Sequence, residues 1–427
     1  MSNVDDADVV IVGGGIVGCA TAYYLAKRGV RVVVLERGAI ASEQSSRAWG
    51  FVRQQGRHEA EIAYAAMATR MWQGLAGELQ ADVEFVQNGI LVPCETEADE
   101  QRFATSGKIG ASHGLSTRML TSEEIGRLVP ELRGKWRAGL YTAEDGHAEP
   151  RKATEAFAAA AARRGAVLLP NSPVIDIETR NGAAFAVRLA DRVVRAPKIL
   201  IASGIGTPHL LRLLNVTAPI QPIRSSVAET NPTMPFSRVA IWGPHAAFRP
   251  TLRGTIYVGN GYRSRGAIYD VTPFSLGALR YFLPTYKKNY SQTRMRLGRE
   301  FLSHFLRSGN SRLFAPLPEP RIDARRLGQL ERRLYEHFPH LADLGIARMW
   351  AGRIDMTPDL IPIIGPVDRA QSIFVAAGFS GHGFALGPAT GSLLSEWIAD
   401  GKPSLDLRPF RPSRFAEGDI NLAPDAL

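Results

Sequence analysis

Residues 8–36 read DVVIVGGGIVGCATAYYLAKRGVRVVVLE, and three changes of pattern inside them set the fold. DVVIV (8–12) is a short run of mostly β-branched apolar residues with no alternation, as suits a strand covered on both faces. GGGIVG (13–18) interrupts it, CATAYYLAKR takes helical spacing until Gly29 ends the helix, and RVVVLE (31–36) returns to strand. Strand, glycine turn, helix and strand make the βαβ unit of a dinucleotide-binding sheet. Gly13 allows the tight turn, Gly15 lets the backbone approach a pyrophosphate, and Gly18 lets the helix pack on the strand. The free N–H groups of Ile16 and Val17 open the helix toward the phosphates. Glu36 ends the second strand eighteen residues past Gly18, where its carboxylate can accept both ribose hydroxyls, and Arg37 follows it.

FAD and NAD both satisfy this pattern, and the other end of the chain separates them. IFVAAGFSGHGFALGPATGSLLSEWI (373–398) repeats strand, glycine-rich turn and helix, with Gly381, Gly383 and Phe384 around His382. A cofactor reached from both ends of the chain is a long one. The exposed amides of a helix N-terminus suit the negative charge that reduction places near N1 and O2 of a flavin ring. KILIASGIG (198–206) closes another strand onto Ser203 and Gly204, and MWAGRIDMTPDLIPIIGPV (349–367) reads as a Pro- and Gly-bounded turn leading into an apolar strand.

With 427 residues the chain has room for two domains of ordinary size. Its 45% hydrophobic and 22% charged residues describe a folded chain, and its apolar runs fall far short of the roughly 18–20 residues that span a bilayer. MSNVDDADVV is acidic and leads straight into a strand, unlike a secretory signal, so a cytoplasmic address is expected. Two cysteines, Cys19 and Cys94, make no disulfide framework, and nine scattered histidines without HxH or HxxxH spacing make no metal site.

Further landmarks follow in order: SSRAWG (45–50), QNGILVPCETE (87–97), LTSEEIGRLVPEL (120–132), DGHAEP (145–150), WAGRIDMTPD (350–359) and GFSGHGFALGP (378–388). With the glycine turn and Glu36, they resemble the D-amino-acid oxidase superfamily of flavoproteins over essentially the full length. WAGxxDMTPD and VRxQ look most like the branch holding the sarcosine oxidase β subunit, dimethylglycine dehydrogenase and glycine oxidase. The resemblance implies an α/β chain, α+β overall. A Rossmann-like FAD-binding domain (1–85, 147–217 and 333–415) is expected to interleave with a substrate-binding domain on a mixed or antiparallel sheet (86–146 and 218–332). It implies FAD contacts for Ser45, Ser46 and Arg47 near the phosphates, for Trp49 and Gly50 beside the flavin, and for the Val174 backbone at adenine. Ser203, Gly204, Gly352 and the turn 381–384 complete the implied set. No histidine stands in or near SSRAWG and no cysteine near Gly352, the family's two linkage sites, so the FAD is expected to be non-covalent.

Between Tyr262 and Pro320 none of these landmarks occurs, and ten Lys or Arg stand against three acids, most of the chain's +10. FSLGALRYFLPTYKK and YSQTRMRLGREFLSHFLRSG read as helices, the second with Leu297, Phe301 and Phe305 on one face. This basic helical insertion (about 262–320) reads either as a solvated helical pair over the substrate domain or as an amphipathic surface for a protein partner or the inner face of a membrane. Nucleic acid is set aside because no recognised motif accompanies the charge.

The activity implied is oxidation of the C–N bond of a secondary or tertiary amino acid, with hydride passing from the α-carbon to flavin N5 and water hydrolysing the imine. The carboxylate must be held so that the C–H bond meets N5, and a bidentate arginine does this well. Arg53, Arg353 and Arg249 are the candidates, each with a structural ion pair as its plain alternative; Arg57 is expected to face away. Arg53 stands near the carboxylate-binding arginine of the monomeric sarcosine oxidases, and Arg353 one residue before that of glycine oxidase-like enzymes. His382 reads as a flavin contact or as packing. Tyr257 in TIYVG stands where the monomeric sarcosine oxidases carry an oxygen-activating lysine, so the electron acceptor stays open between O2 and a quinone or carrier. Several arginines favour a substrate with two carboxylates, such as iminodiacetate or an opine, over sarcosine. A primary amino-acid oxidase or deaminase, and a flavin-binding regulatory or assembly protein without turnover, are the alternative readings.

Overall fold

The computed structural model describes residues 5–233, 237–288, 294–297 and 318–420. Val9–Val12 lies inside a six-stranded sheet ordered Ile363–Pro366, Ile373–Ala377, Lys198–Ile201, Val9–Val12, Val32–Leu35, Val167–Leu169. Its pairings are parallel except the one between Ile363–Pro366 and Ile373–Ala377. The absence of alternation in VVIV has a direct cause. Val9 and Ile11 join a core with the helices Ile16–Lys27, Pro150–Arg163 and Gly383–Asp400, whereas Val10 and Val12 join one with the helix Thr207–Leu213 and a small antiparallel sheet over residues 176–195. The helix Ile16–Lys27 is itself covered by two others and buries all of its residues but Lys27. The chain leaves Val9–Val12 toward one neighbour and returns later to the other, so the carboxyl ends of these strands open a crevice at a switch point.

A ten-stranded sheet forms the second layer. Its longest ladder joins Gln221–Thr230 antiparallel to Ile346–Met356, and Gln221–Thr230 also pairs with Ile256–Asn260 and Ile268–Val271. The helices Glu97–Ser112 and Ser122–Leu128 start with reciprocal capping boxes, Thr96 with Asp99 and Thr121 with Glu124. In the helix Ala324–His337, Leu327, Leu330 and Leu334 recur at helical spacing and insert among Phe248, Ile256 and Val258 of the sheet. The segment 44–57 crosses between the layers: Gln44–Arg47 is a single helical turn, and Phe51–Val52 pairs antiparallel with Gly146–His147.

Two stretches depart from expectation. WAGRIDM belongs to the eleven-residue strand Ile346–Met356, not to a turn, and this strand, placed by sequence in the nucleotide-binding half, is hydrogen-bonded into the larger sheet. Only Ala351, Asp355 and Met356 are buried along it, so it carries no clean alternation. In the basic insertion, Pro273–Gly277 and Leu279–Lys288 are helical, but Arg294–Leu297 is a strand paired parallel with Ile268–Val271, with Leu297 exposed. Phe301 and Phe305 lie outside the described residues. Among the described residues no helix is long and apolar enough to cross a membrane.

Candidate active site

A cavity of about 420 Å3 runs from Glu36, Arg37 and Val174, past the glycine turn, to Arg53, Arg57 and Trp242. Gly13 adopts φ +121°, and a Cβ on it would lie 2.3 Å from the carbonyl oxygen of Ala202. One on Gly18 would lie 2.0 Å from the Gly13 oxygen, which puts Gly18 in the strand–helix joint and off the cavity wall. Gly15, Ile16 and Val17 line the cavity where the helix begins, and the Ile16 N–H donates to Ser45 Oγ at 2.9 Å. Glu36 accepts the N–H groups of Gly14 and Gly38 at 2.7 and 2.8 Å, which fixes its carboxylate between two loops; Ser203 and Gly204 close this end. Bare backbone, a helix N-terminus and an anchored carboxylate fit the pyrophosphate and ribose of a dinucleotide.

Further along, Arg47 donates to Ala351 O at 3.2 Å and pairs with Glu319 at 2.6 Å, while a Cβ on Gly352 would lie 3.0 Å from Arg47 Cβ. The loop and the strand Ile346–Met356 therefore pack directly, and both line the cavity. Ser46 does not; its hydroxyl turns to Glu43 O at 3.2 Å. Trp49 lies over Gly259, where a Cβ would come within 2.5 Å of the ring, and Gly50 takes φ +89°. Behind Gly50 sits Arg249, 2% exposed, paired with Glu149 at 3.2 Å and stacked 4.1 Å over the Tyr257 ring. Arg249 and Tyr257 are thus off the cavity wall, held in an ion-pair network beneath the Trp49–Gly50 backbone. Arg353 lines the cavity, but its guanidinium is turned to Glu43 at 3.4 Å and to Pro318 O at 2.6 Å.

The far end brings together two arginines that sequence had separated. Arg53 lies 4.3 Å over the Trp242 ring and donates to Gln55 O at 3.2 Å. Arg57 turns back to donate to Arg53 O at 3.0 Å, and its Nη1 has no partner among the described residues. Both line the cavity and neither has a carboxylate in ion-pair range among the described residues. Burial, reinforced by Arg57, presses the pKa of Arg53 down to about 9. His382 lines the same end beside Gly381, Gly383 and Phe384, with Nδ1 3.3 Å from Oε1 of the fully buried Glu61. Burial and then the Arg57 charge hold the imidazole at about 4, hence neutral, against the opposing pull of Glu61. Asn260, Tyr262 and Ser225 face this end from the larger sheet. Sequence reading had not singled out Glu61, Trp242, Asn260 or Tyr262, and no local signal marked them.

A nucleotide cradle at the switch point of a doubly covered parallel sheet, joined by one cavity to a second sheet, defines an FAD-dependent oxidoreductase fold. The family described as FAD dependent oxidoreductase (DAO) matches residues 8–397, and the chain belongs to it. Mitochondrial dimethylglycine dehydrogenase of Mus musculus is 27% identical over 417 residues, covering 97% of this chain but 44% of that protein, so the chain spans less than half of that relative. Glycine oxidase of Geobacillus kaustophilus (strain HTA426) is 24% identical over 420 residues, covering 95% of this chain and 97% of its own. The crystal structure of L-proline dehydrogenase from P. horikoshii shares 26% identity with a TM-score of 0.81, covering 98% of this chain and all of that one.

Proposed function

We propose that the protein uses FAD to oxidise the C–N bond of an N-substituted amino acid whose carboxylate is held by Arg53 and Arg57. The observation that carries this reading is the pair of guanidiniums at the His382 end of the cavity with no carboxylate in ion-pair range among the described residues. Two enclosed cations side by side are costly, and an arriving carboxylate removes that cost. Dimethylglycine and proline, named in two of the relatives, are a tertiary and a secondary amine with a carboxylate. Two arginines support two carboxylates, as in iminodiacetate or an opine. Bound FAD supplies the acceptor for the hydride that leaves the α-carbon. The chain's own part is to clamp the carboxylates, to keep water from the reacting end with Trp49 and Trp242, and to orient the amine through a hydrogen bond to neutral His382, steadied by Glu61. The full-length match to glycine oxidase favours primary amino acids as the second reading.

Anaerobic mixing with a panel of N-alkyl, dicarboxylic and primary amino acids tests both readings through bleaching of the flavin. Iminodiacetate is expected to exceed sarcosine by about tenfold or more in kcat/KM, the worth of one extra charge-assisted contact of about 1.4 kcal/mol. Equal values remove the dicarboxylate preference, fastest bleaching by glycine favours the second reading, and no bleaching by any amine leaves a flavin-binding protein without turnover. Repeating the reduction in air separates O2 from a carrier as acceptor. Acid precipitation is expected to release the yellow colour to the supernatant, as non-covalent FAD requires.

A further inference from the structure

Asp145 opens DGHAEP, a landmark to which the reaction gives no role. Its side chain is fully buried. Oδ1 accepts the Gln54 N–H at 2.8 Å, the Gln55 N–H also donates to the carboxylate, and Oδ2 has no hydrogen-bond partner among the described residues. Gln54 and Gln55 directly follow Arg53 in the RQQGR loop that carries both guanidiniums. One enclosed carboxylate thus stands behind two cations that face the cavity, close enough to feel both but in ion-pair contact with neither. Glu61 and His382 face the same guanidiniums from the helix Glu59–Leu79 and from the turn before Gly383. Arg102 faces Arg53 from the helix Glu97–Ser112, and Tyr141 and Glu144 are the ionisable groups beside Asp145 on its own segment.

We propose that Asp145 sets the anion affinity of the site: it holds the Gln54–Gln55 amides so that Arg53 and Arg57 face the cavity together, and its negative charge competes with the substrate carboxylate for their field. This rests on the reading that the two arginines hold a carboxylate. Burial pushes Asp145 up to about 7, against the pull of the Gln54 amide and of both arginines. Above that pH it is ionised and offsets one of the two cations; below it the acid is neutral and both cations are free for a ligand. An anion in the cavity uses the same field, so its binding raises the proton affinity of Asp145. The fraction of Asp145 that is ionised takes up a proton from solvent, carboxylate becoming carboxylic acid, and no other bond changes. His382, held at about 4, and Glu61, held below the ordinary carboxylate value, do not titrate near neutrality.

The test uses the FAD-loaded full chain and propionate, an anion without an amine, titrated through the flavin absorbance and by calorimetry in buffers of different ionisation heat. For the wild type we expect Kd to fall about tenfold from pH 8.5 to pH 6, the factor for a one-unit shift of Asp145 on binding, with uptake peaking at about half a proton between pH 7 and 8. Asp145→Asn keeps an oxygen for the Gln54 amide but no charge, so it should bind at pH 8.5 as tightly as the wild type does at pH 6, with a flat profile. Asp145→Glu should restore the pH dependence with a displaced midpoint. A flat wild-type profile without proton uptake, or an Asp145→Asn profile as steep as the wild type's, overturns the proposal, and the wild-type measurement stands even where a variant fails to fold. Propionate binding that depends on Arg53 but not on pH removes only the role of Asp145. Binding indifferent to Arg53→Ala removes the carboxylate clamp and this inference with it.

Discussion

Arg53→Ala separates a substrate clamp from a structural arginine. The substitution removes one of two adjacent guanidiniums and uncovers the Trp242 face, on which Arg53 rests at 4.3 Å. Truncating one partner of an enclosed, hydrogen-bonded charge pair costs about 2–5 kcal/mol. Arg57 remains in the cavity, and Arg53 is only partly buried, open to the cavity itself, so the loss belongs at the low end. About 2–3 kcal/mol corresponds to a fall in kcat/KM of roughly 30- to 150-fold. The carboxylate is held alike in ground state and transition state, so KM should carry most of the change. FAD should stay bound, because the cradle around Gly13–Gly15 and Glu36 lies at the other end of the cavity. Anaerobic stopped-flow reduction across substrate concentrations, with the flavin-to-protein ratio measured on the same samples, gives both quantities. A kcat/KM within about threefold of wild type at full FAD content would refute the clamp, since even a single exposed ion pair is worth up to about 1 kcal/mol. Arg53→Lys keeps the charge but loses the planar fork, and should fall between the two.

Other perturbations test other parts of the site. Gly13→Ala puts a methyl group 2.3 Å from the Ala202 carbonyl at a φ of +121°, and the purified protein should lack FAD; a normal flavin content would count against the cradle. His382→Phe removes the ring nitrogen offered to the amine, so flavin reduction at pH 7 should slow about tenfold with propionate affinity unchanged, and an unaltered rate would return His382 to a packing role. His147 is buried and held at about 3 by burial and then by the Arg249 charge, against about 6.5 in an unfolded chain. Protonation therefore favours the unfolded state: its contribution is whole above about pH 6.5 and is lost as pH falls toward 3, by up to about 1.4 kcal/mol per pH unit. Urea unfolding of His147→Gln should show a shallower loss of stability between pH 6 and 4 than the wild type, and parallel slopes would reject this assignment.

The nucleotide end was legible because it is local. Strand, turn and helix lie within Val9–Leu35, and what the glycines must avoid is adjacent backbone: the Gly18 contact is to Gly13, five residues away. Such constraints leave a spacing that can be read without knowing the rest of the fold. Even Ala202, the distant partner of Gly13, announces itself through KILIASGIG, a second strand running onto a glycine turn.

The substrate end is built from contacts that leave no spacing. Asp145 reaches Gln54 across 91 residues and Glu61 reaches His382 across 321. Arg57 misleads for a related reason: four residues from Arg53 it would share a face only on a helix, but RQQGR is a loop, and a hydrogen bond back to Arg53 O brings the second guanidinium beside the first. Arg249 shows the converse. Its place in a strand of the larger sheet promised a side chain over the cavity, yet Trp49 and Gly50 occupy that layer, and the guanidinium is left underneath with Glu149 and Tyr257. Resemblance points to Arg53 and Arg353 and sheet position to Arg249, whereas the deciding quantity is whether a carboxylate already meets the charge. Glu149 meets Arg249 and Glu43 meets Arg353; among the described residues none meets Arg53 or Arg57. Unmet charge on a cavity wall is what favours these two for the proposed clamp, and only the folded chain reveals that charge.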